Sequence, residues 1–293
     1  MSVRIVEVGP RDGLQNEPER IPLPVKLEYI RKLAAAGLRH IEATSFVHPK
    51  WVPQLADAGE LVAALDLGGP VEYSVLVPNL KGLERALSSG VRRVAIFAAA
   101  SEEFSRRNLN RSIHETLGEY AEVVRRALAG GLTVRGYVST CFGCPYQGAV
   151  EPDAVRRVTE ALLAMGVDEV SLGDTIGVAV PPDVERVLRG LPVDRLALHM
   201  HDTSGTALVN VWAGLQLGVG CFDSSSGGLG GCPYAPGAAG NLATEDLVYL
   251  LERSGHPTGV DLERLADASL YLAEALGREL PSRQLRRLRA GRG

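Results

Sequence analysis

Two histidines separated by a single residue, His199 and His201, have the spacing that points most directly to chemistry in this sequence. Residues two apart on a β-strand project from the same face, so both imidazoles can reach one ion. Asp12 offers a carboxylate and Asn241 an amide oxygen. This set suits Mg²⁺ or Mn²⁺ with positions left for a chelating substrate, while two histidines also suit zinc or cobalt. The histidine pair alone is equally compatible with ordinary packing, and Asp12 favours the metal site.

Arg11, Glu42 and Asp174 form a second set of candidate residues. A guanidinium at the mouth of a site can donate to an oxygen that gains negative charge during a reaction. Glu42 would then be the anion that holds Arg11 in place, although a salt bridge without catalytic meaning fits equally well. Asp174 follows a short apolar run in the segment Ser-Leu-Gly-Asp-Thr. These residues lie in separate segments, so a site requires a fold that brings them together.

The segment 227–241 is rich in glycine, with six glycines in fifteen positions. That composition is incompatible with a helix or a packed strand and predicts a loop. Such a loop can act as a lid that shuts water out of a reaction, and Cys232 within it can carry a proton. A flexible surface loop with an incidental thiol is the alternative interpretation.

Short β-branched runs alternate with longer amphipathic segments along the whole chain, which predicts alternating strands and helices. The predicted strands are Val3–Val8, Arg39–Ala43, Glu72–Val77, Arg92–Ala98, Thr133–Ser139, Glu169–Leu172, Arg195–Met200 and Cys221–Ser224. The predicted helices are Pro24–Ala36, Pro53–Leu65, Asn79–Ser89, Ser112–Ala129, Pro152–Met165, Pro181–Leu191, Thr206–Leu217, Thr244–Arg253 and, beyond the eighth unit, Leu262–Leu276. The arginine-rich tail from Arg283 is expected to be solvated.

Eight strand–helix units predict parallel strands joined by right-handed crossovers. The count favours a (β/α)8 TIM barrel with an extra C-terminal helix over an open doubly wound sheet, which would usually carry G-x-G-x-x-G after its first strand. No composition break divides the chain, so we expect residues 1–293 to form a single catalytic domain. In such a barrel the polar residues at the carboxyl ends of the strands share one mouth.

Composition limits the partners and the compartment of the protein. A net charge of −4 and a pI near 5.9 argue against nucleic acid. The sequence has neither an apolar run of membrane-spanning length nor a signal-peptide pattern at its start, which predicts a cytoplasmic protein without membrane association. Four cysteines do not make a disulfide framework, and the lone C-x-x-C of Cys141 and Cys144 is a weak zinc signal.

Taken together, the segments resemble the 3-hydroxy-3-methylglutaryl-CoA lyases, within the wider group of metal-dependent barrel lyases and Claisen-type synthases. The matching segments run in order from near the first residue to about residue 250. They are Glu7-Val-Gly-Pro-Arg-Asp-Gly-Leu-Gln-Asn-Glu17, Glu42-Ala-Thr-Ser-Phe-Val47, Pro49-Lys-Trp-Val-Pro53, Arg135-Gly-Tyr-Val138, Gly143-Cys-Pro-Tyr146, Ser171-Leu-Gly-Asp-Thr-Ile-Gly177, His199-Met-His-Asp-Thr203, Gly228-Leu-Gly-Gly-Cys-Pro-Tyr-Ala235 and Gly240-Asn-Leu-Ala-Thr-Glu-Asp-Leu-Val248.

The resemblance implies a role for each candidate residue. The implied ligands of a divalent cation, Mg²⁺ or Mn²⁺, are Asp12, His199, His201 and Asn241. It implies that Arg11 stabilises the enolate of the departing acetyl-CoA and that Glu42 supports Arg11. Proton transfer would fall to Cys232, His199 or Asp174, and the sequence does not apportion the steps among them.

The implied reaction splits (S)-3-hydroxy-3-methylglutaryl-CoA into acetoacetate and acetyl-CoA, in leucine breakdown or ketone-body formation. The resemblance also implies an acyl-CoA substrate and a homodimer. A lyase or aldolase for a related 3-hydroxyacyl thioester is the nearest alternative. A Claisen-type synthase fits less well, because those enzymes usually follow His-x-His with Asn-Asp rather than the Asp-Thr found here. A non-catalytic metal-binding barrel would leave Arg11, Glu42, Asp174 and Cys232 without explanation.

Overall fold

Eight parallel strands form a closed barrel in the computed structural model, which describes residues 3–230 and 240–291. Each strand pairs with its neighbours in chain order. The strands are β1 Arg4–Glu7, β2 His40–Ser45, β3 Glu72–Leu76, β4 Arg93–Ala99, β5 Thr133–Ser139, β6 Glu169–Asp174, β7 Leu196–Met200 and β8 Cys221–Ser224. All eight predicted strands are therefore confirmed, with bounds that differ by two residues at most.

Pairing between the first and last strands closes the sheet. Arg4 of β1 lies opposite Cys221 of β8, and Glu7 lies opposite Ser224. Closure removes the two exposed edges that an open sheet would present. The predicted (β/α)8 TIM barrel is confirmed.

Helices surround the barrel. They are α1 Leu23–Ala35, α2 Ala58–Ala63, α3 Leu80–Ser89, α4 Glu102–Leu109, α5 Ile113–Ala129, α6 Pro152–Ala164, α7 Pro181–Leu188, α8 Ala207–Gln216, α9 Thr244–Arg253, α10 Leu262–Leu276 and α11 Arg283–Ala290. Local signals set several ends: Asn79 accepts the amide of Gly82, and Ser112 forms a capping box with Glu115. Among the described residues, no helix is both long and apolar enough to cross a membrane.

The structure differs from the predicted helices at two places before the sixth strand. The predicted helix 53–65 is divided into a 3-10 turn at Pro53–Leu55 and the short helix α2. Helix α4 was not predicted, because its eight residues are mostly polar and only Phe104 and Ser105 are buried. A segment with so few apolar residues gives little helical periodicity to detect.

The tail from residue 283, expected to be solvated, is the helix α11. Leu285 and Leu288 are buried against the rest of the protein, while the arginines of the helix face outward. Asp246 at the start of α9 accepts the side-chain hydroxyl of Ser282 and the backbone amide of Gln284. Two apolar side chains spaced by three residues therefore hold α11 in place despite its many charges.

The barrel strands bury different kinds of side chain on their two faces. On β5, Val134 and Val138 belong to the apolar layer between sheet and helices. Arg135 and Tyr137, which alternate with them, are buried on the other face. Alternation along a strand sends successive side chains to opposite faces, so the interior of this barrel contains charged and polar groups.

We expect Leu285→Ala to destabilise the protein by about 2–4 kcal/mol, because truncation of a buried leucine loses apolar contact and leaves a cavity. Arg286→Ala is the matched control, since Arg286 is an exposed neighbour in the same helix. The free energy of unfolding in urea measures both. Equal stabilities for the two variants would contradict the packing of α11.

Candidate active site

A cavity of about 800 Å³ opens at the carboxyl ends of the barrel strands. Its wall includes residues that follow β1, β2, β3, β4, β6 and β7 and the last residues of β5. The polar side chains among its lining residues include Arg11, Asp12, Ser45, His48, Asn79, Arg107, Asn108, Asn110, Arg111, Tyr137, Ser139, Thr175, His199 and His201. The candidate residues from separate segments thus meet at one mouth, as a TIM barrel requires.

Asp12, His199 and His201 lie together at the base of this cavity. One ligand atom from each, a carboxylate oxygen or a ring nitrogen, lies within 4.8 Å of the other two. The Nε2 atoms of the two histidines are 3.2 Å apart, and His199 Nε2 is 3.9 Å from Asp12 Oδ2. Two nitrogens and one anionic oxygen at this separation form a possible metal site.

The donor set fits a cation because each of the three side chains can present a lone pair to the same point. Asp223 Oδ2 lies 3.2 Å from Nδ1 of His199, which places the ring proton on Nδ1 and leaves Nε2 as an acceptor. Burial and the neighbouring His199 lower the pKa of His201 to about 4, so that ring is neutral at neutral pH. A cation between these groups would relieve the repulsion of facing lone pairs.

Asp12 is ionised over the whole physiological range. Burial by itself raises its pKa, but the charge of Arg11, together with His199 and a hydrogen bond from Asn241, lowers it to about 2. Arg11 Nη1 donates to Asp12 Oδ1 at 2.6 Å, which leaves Oδ2 facing the histidines.

Asn241 lies beside the three-residue cluster with its amide nitrogen toward Asp12. Nδ2 donates to Asp12 Oδ2 at 2.9 Å and to the carbonyl of Leu229 at 3.2 Å. The amide oxygen Oδ1 is the atom that could bind a cation. The structure therefore brings Asn241 to the site, and its role as a ligand stays a prediction.

Arg11 is held by carboxylates on two sides. Its Nε donates to Glu42 Oε1, and Tyr137 donates its hydroxyl to Glu42 Oε2 at 2.9 Å. Burial disfavours the charged guanidinium, but the charges of Glu42 and Asp12 outweigh this and raise the pKa of Arg11. Glu42 is fully buried beneath Arg11 and does not line the cavity, so its contact with the reaction is indirect.

Asp174, a proton-transfer candidate from the resemblance, is not among the residues that line the cavity. Its two carboxylate oxygens accept the backbone amides of Val178 and Ala179, each at 3.0 Å. Burial raises its pKa to about 6 despite these amides. The side chain is buried and shapes the loop after β6.

The other two proton-transfer candidates are His199 and Cys232. Both ring nitrogens of His199 are engaged, Nδ1 by Asp223 and Nε2 by the Asp12–His201 cluster. A ring that holds a cation on one nitrogen and a carboxylate on the other has no nitrogen left for proton transfer. Cys232 and the greater part of the predicted lid, residues 231–239, lie outside the described residues.

Three buried residues of this neighbourhood were given no role from the sequence, although two of them lie in a matching segment: Arg135, Tyr137 and Asp223. Arg135 contacts Asp223 through both terminal nitrogens and donates to the Tyr137 hydroxyl at 2.8 Å. The sequence signal that could have revealed these residues is a charged residue inside a short, mostly apolar strand. Such a residue is costly to bury unless it is paired, and so it marks the polar interior of the barrel.

Some basic side chains near the mouth of the barrel line the cavity and others do not. Arg107 and Arg111 line the cavity, and the lining does not include Lys50 or Arg106. Cys141 and Cys144 are buried free thiols, and neither belongs to the metal-ligating group found among the described residues.

Two further carboxyl groups, Glu7 and Glu245, are buried near the start of the glycine-rich segment. Glu7 accepts the amides of Gly9 and Ser226, and Glu245 accepts the amide of Gly227. Burial raises the pKa of each to about 7. The pair anchors the backbone that leads from β8 into the segment 227–241.

Known proteins that resemble this chain identify its family. The family model described as HMGL-like matches residues 2–271. The chain belongs to the HMGL-like family. Mitochondrial hydroxymethylglutaryl-CoA lyase from Bos taurus is 52% identical over 285 residues, which cover 96% of this chain and 88% of that protein. The Bacillus subtilis hydroxymethylglutaryl-CoA lyase is 50% identical, with 97% of this chain and 96% of that protein covered.

Solved structures of HMGL-like proteins superpose over nearly the whole chain. The Bacillus subtilis HMG-CoA lyase gives a TM-score of 0.96 at 49% identity, covering 98% of each chain. An Acinetobacter baumannii HMG-CoA lyase, solved with coenzyme A and 3-methylmalate, gives a TM-score of 0.92 at 37% identity, covering 97% of this chain and 94% of that one.

We expect the free energy of unfolding to fall as the pH rises from about 5 to about 8, because the folded protein retains protons on Glu7 and Glu245 that the unfolded chain has released. A pKa raised from 4.5 to about 7 corresponds to roughly 3 kcal/mol for each carboxyl group. Glu245→Gln, which retains an acceptor for Gly227, should flatten this dependence. Urea unfolding across the pH range measures it.

Glu274→Gln is the control for this experiment, because Glu274 is exposed on α10, the helix that also carries Ser269 beside Glu245. It should keep the wild-type slope. A slope in Glu245→Gln as steep as in the control would show that Glu245 does not titrate in this range.

Proposed function

We infer that this protein cleaves (S)-3-hydroxy-3-methylglutaryl-CoA into acetyl-CoA and acetoacetate. The observation that carries the inference is the convergence of Arg11 with the Asp12–His199–His201 cluster on one cavity. The chain is also about half identical to hydroxymethylglutaryl-CoA lyases across nearly its full length. The reaction breaks the bond between C2 and C3 of the acyl group. The C3 hydroxyl becomes the ketone of acetoacetate, and the bonding electrons pass to the acetyl-CoA fragment.

Asp12, His199 and His201 would hold a divalent cation, with Asn241 as a further ligand, and we propose Mg²⁺ or Mn²⁺. When bound, the cation supplies Lewis-acid chemistry, which lowers the pKa of an alcohol or water that it coordinates. Asp12 would contribute the anionic charge, and each histidine would contribute a ring nitrogen. Arg11 keeps Asp12 ionised and oriented by its contact with Oδ1.

Arg11 stabilises the developing enolate oxygen of the thioester. Its guanidinium lines the cavity, and Glu42 and Asp12 hold it on the other side. Because the negative charge on that oxygen grows as the carbon–carbon bond breaks, the contact is stronger in the transition state than in the bound substrate. Glu42 and Tyr137 are positioning residues for Arg11.

We propose Cys232 as the residue that returns a proton to the enolate carbon. The C3 hydroxyl loses one proton and the new methyl group of acetyl-CoA gains one, so the reaction has no net proton change. Asp174 is bound to backbone amides, and both nitrogens of His199 are engaged. Those contacts leave Cys232 as the remaining candidate from the sequence.

The cavity accommodates the acyl portion of a CoA thioester, and Arg107 and Arg111 at its wall suit the phosphates of the CoA moiety. The Acinetobacter baumannii relative was solved with coenzyme A, which supports this class of substrate.

The proposal has four further parts: a single catalytic domain, a lid at 227–241, a homodimer and a cytoplasmic location. A panel of 3-hydroxyacyl thioesters distinguishes this substrate from a related one.

Arg11→Met should lower kcat for acetoacetate release by about 10²–10³-fold, because it removes a donor to the developing oxyanion. KM should change much less. Arg125→Met, an exposed substitution on α5, is the control and should retain wild-type kinetics. Wild-type kcat in Arg11→Met would rule out this role for the guanidinium.

Removal of divalent cations with a chelator should abolish acetoacetate release, and addition of Mg²⁺ or Mn²⁺ should restore it. In Asp12→Ala, added Mg²⁺ or Mn²⁺ should not restore acetoacetate release, because the anionic member of the cluster is lost. Steady-state assays at increasing metal concentration measure both effects. Full activity after exhaustive chelation would refute a metal requirement.

A further inference from the structure

A buried carboxylate, Asp223 on β8, lies directly beneath the proposed metal site. Its Oδ2 faces Nδ1 of His199 at 3.2 Å, and it also accepts the hydroxyl of Ser171 at 2.8 Å. The register of the sheet produces this contact, since His199 on β7 lies opposite Asp223 on β8. Neighbouring strands thus fix the distance between ring and carboxylate through the backbone.

Arg135 on β5 holds Asp223 from the opposite side. Its Nη2 donates to Asp223 Oδ1 at 2.6 Å and its Nη1 to Oδ2 at 3.2 Å, a two-pronged contact that fixes the plane of the carboxylate. The hydroxyl of Ser171 donates to Oδ2 as well, so three donor contacts converge on the two oxygens. Asp223 is therefore an acceptor only.

An acceptor-only neighbour determines which nitrogen of His199 carries the proton. Nδ1 must donate to Asp223, so the lone pair of the neutral ring lies on Nε2, which points toward His201 and Asp12. Without the carboxylate, the ring can take the other tautomer or rotate. Either change would point an N–H proton or a ring carbon, instead of the Nε2 lone pair, toward the proposed cation.

We propose that Asp223, oriented by Arg135, is a positioning residue that fixes the tautomer and the ring angle of His199 for metal binding. The inference rests on the proposed metal-dependent function and adds to it a residue that never touches substrate or metal. Carboxylates that accept from a ligating histidine typically strengthen metal affinity by about 10–100-fold. The same contact denies His199 a free nitrogen for proton transfer.

Asp223→Asn tests the proposal, with Glu169→Gln as the matched control. Glu169 is likewise a buried carboxylate that accepts from Arg135, at 2.8 Å, but it does not contact His199. Both variants replace one acid by its amide in the same network. Binding of Mn²⁺ to the chelator-stripped protein is measured by the electron paramagnetic resonance signal of free Mn²⁺. We expect Kd to rise by about 10–100-fold in Asp223→Asn and to stay within about threefold in Glu169→Gln.

The tautomer of His199, measured first in the wild-type protein, gives a second readout. Long-range ¹H–¹⁵N correlation spectra of the metal-free wild type, at a pH where the ring is neutral, should show the His199 proton on Nδ1. The resonance is assigned by its loss in His199→Gln. In Asp223→Asn the Nε2–H form should appear.

The outcomes separate this inference from the proposed function. Equal Mn²⁺ affinities in Asp223→Asn and Glu169→Gln, or a wild-type His199 protonated on Nε2, would overturn the role of Asp223. If Asp12→Ala binds Mn²⁺ as tightly as the wild type, the proposed metal site fails, and the tautomer measurement still decides whether Asp223 orients His199.

Discussion

Pairing of charges inside a closed barrel is the constraint on which the site depends. A continuous series of contacts runs from Arg11 through Glu42 and Tyr137 to Arg135, and from there through Asp223 to His199. Each charged member of this series is buried and has a partner of opposite charge or a hydrogen-bond donor. Loss of one partner would leave a buried charge unpaired, which typically costs several kcal/mol. The series therefore fixes the arrangement of the side chains that line the cavity.

Barrel closure makes this network possible because it brings strands from both ends of the chain together. The pairing of β1 with β8 brings the segment of Arg11 and Asp12 next to the segment that ends in Asn241. Pairing of the consecutive strands β7 and β8 brings His199 to Asp223. An apolar layer between sheet and helices stabilises the barrel, while the interior face is reserved for charged and polar groups.

In the proposed mechanism, different residues bind the cation and transfer the proton. Asp12, His199 and His201 each direct a donor atom to one point, and their other contacts keep them there. A histidine anchored at both nitrogens is a better ligand and a poorer acid. Asp174, which binds backbone amides, stabilises a loop rather than a reacting atom. The proposed mechanism assigns proton delivery to Cys232, a residue outside this set.

The sequence by itself determined the eight strand–helix units, because short β-branched runs and capping residues are local signals. It also pointed to Arg11, Asp12, Glu42 and the two histidines, whose types and spacing already suggest a metal-assisted reaction. Asp174 and Asp223, however, are alike in sequence, since each is an aspartate in the last half of a short buried strand. Only the tertiary structure decided that one binds loop amides and the other a metal-site histidine. The direction of a side chain depends on sheet register and on the loop that follows the strand, and neither is encoded locally.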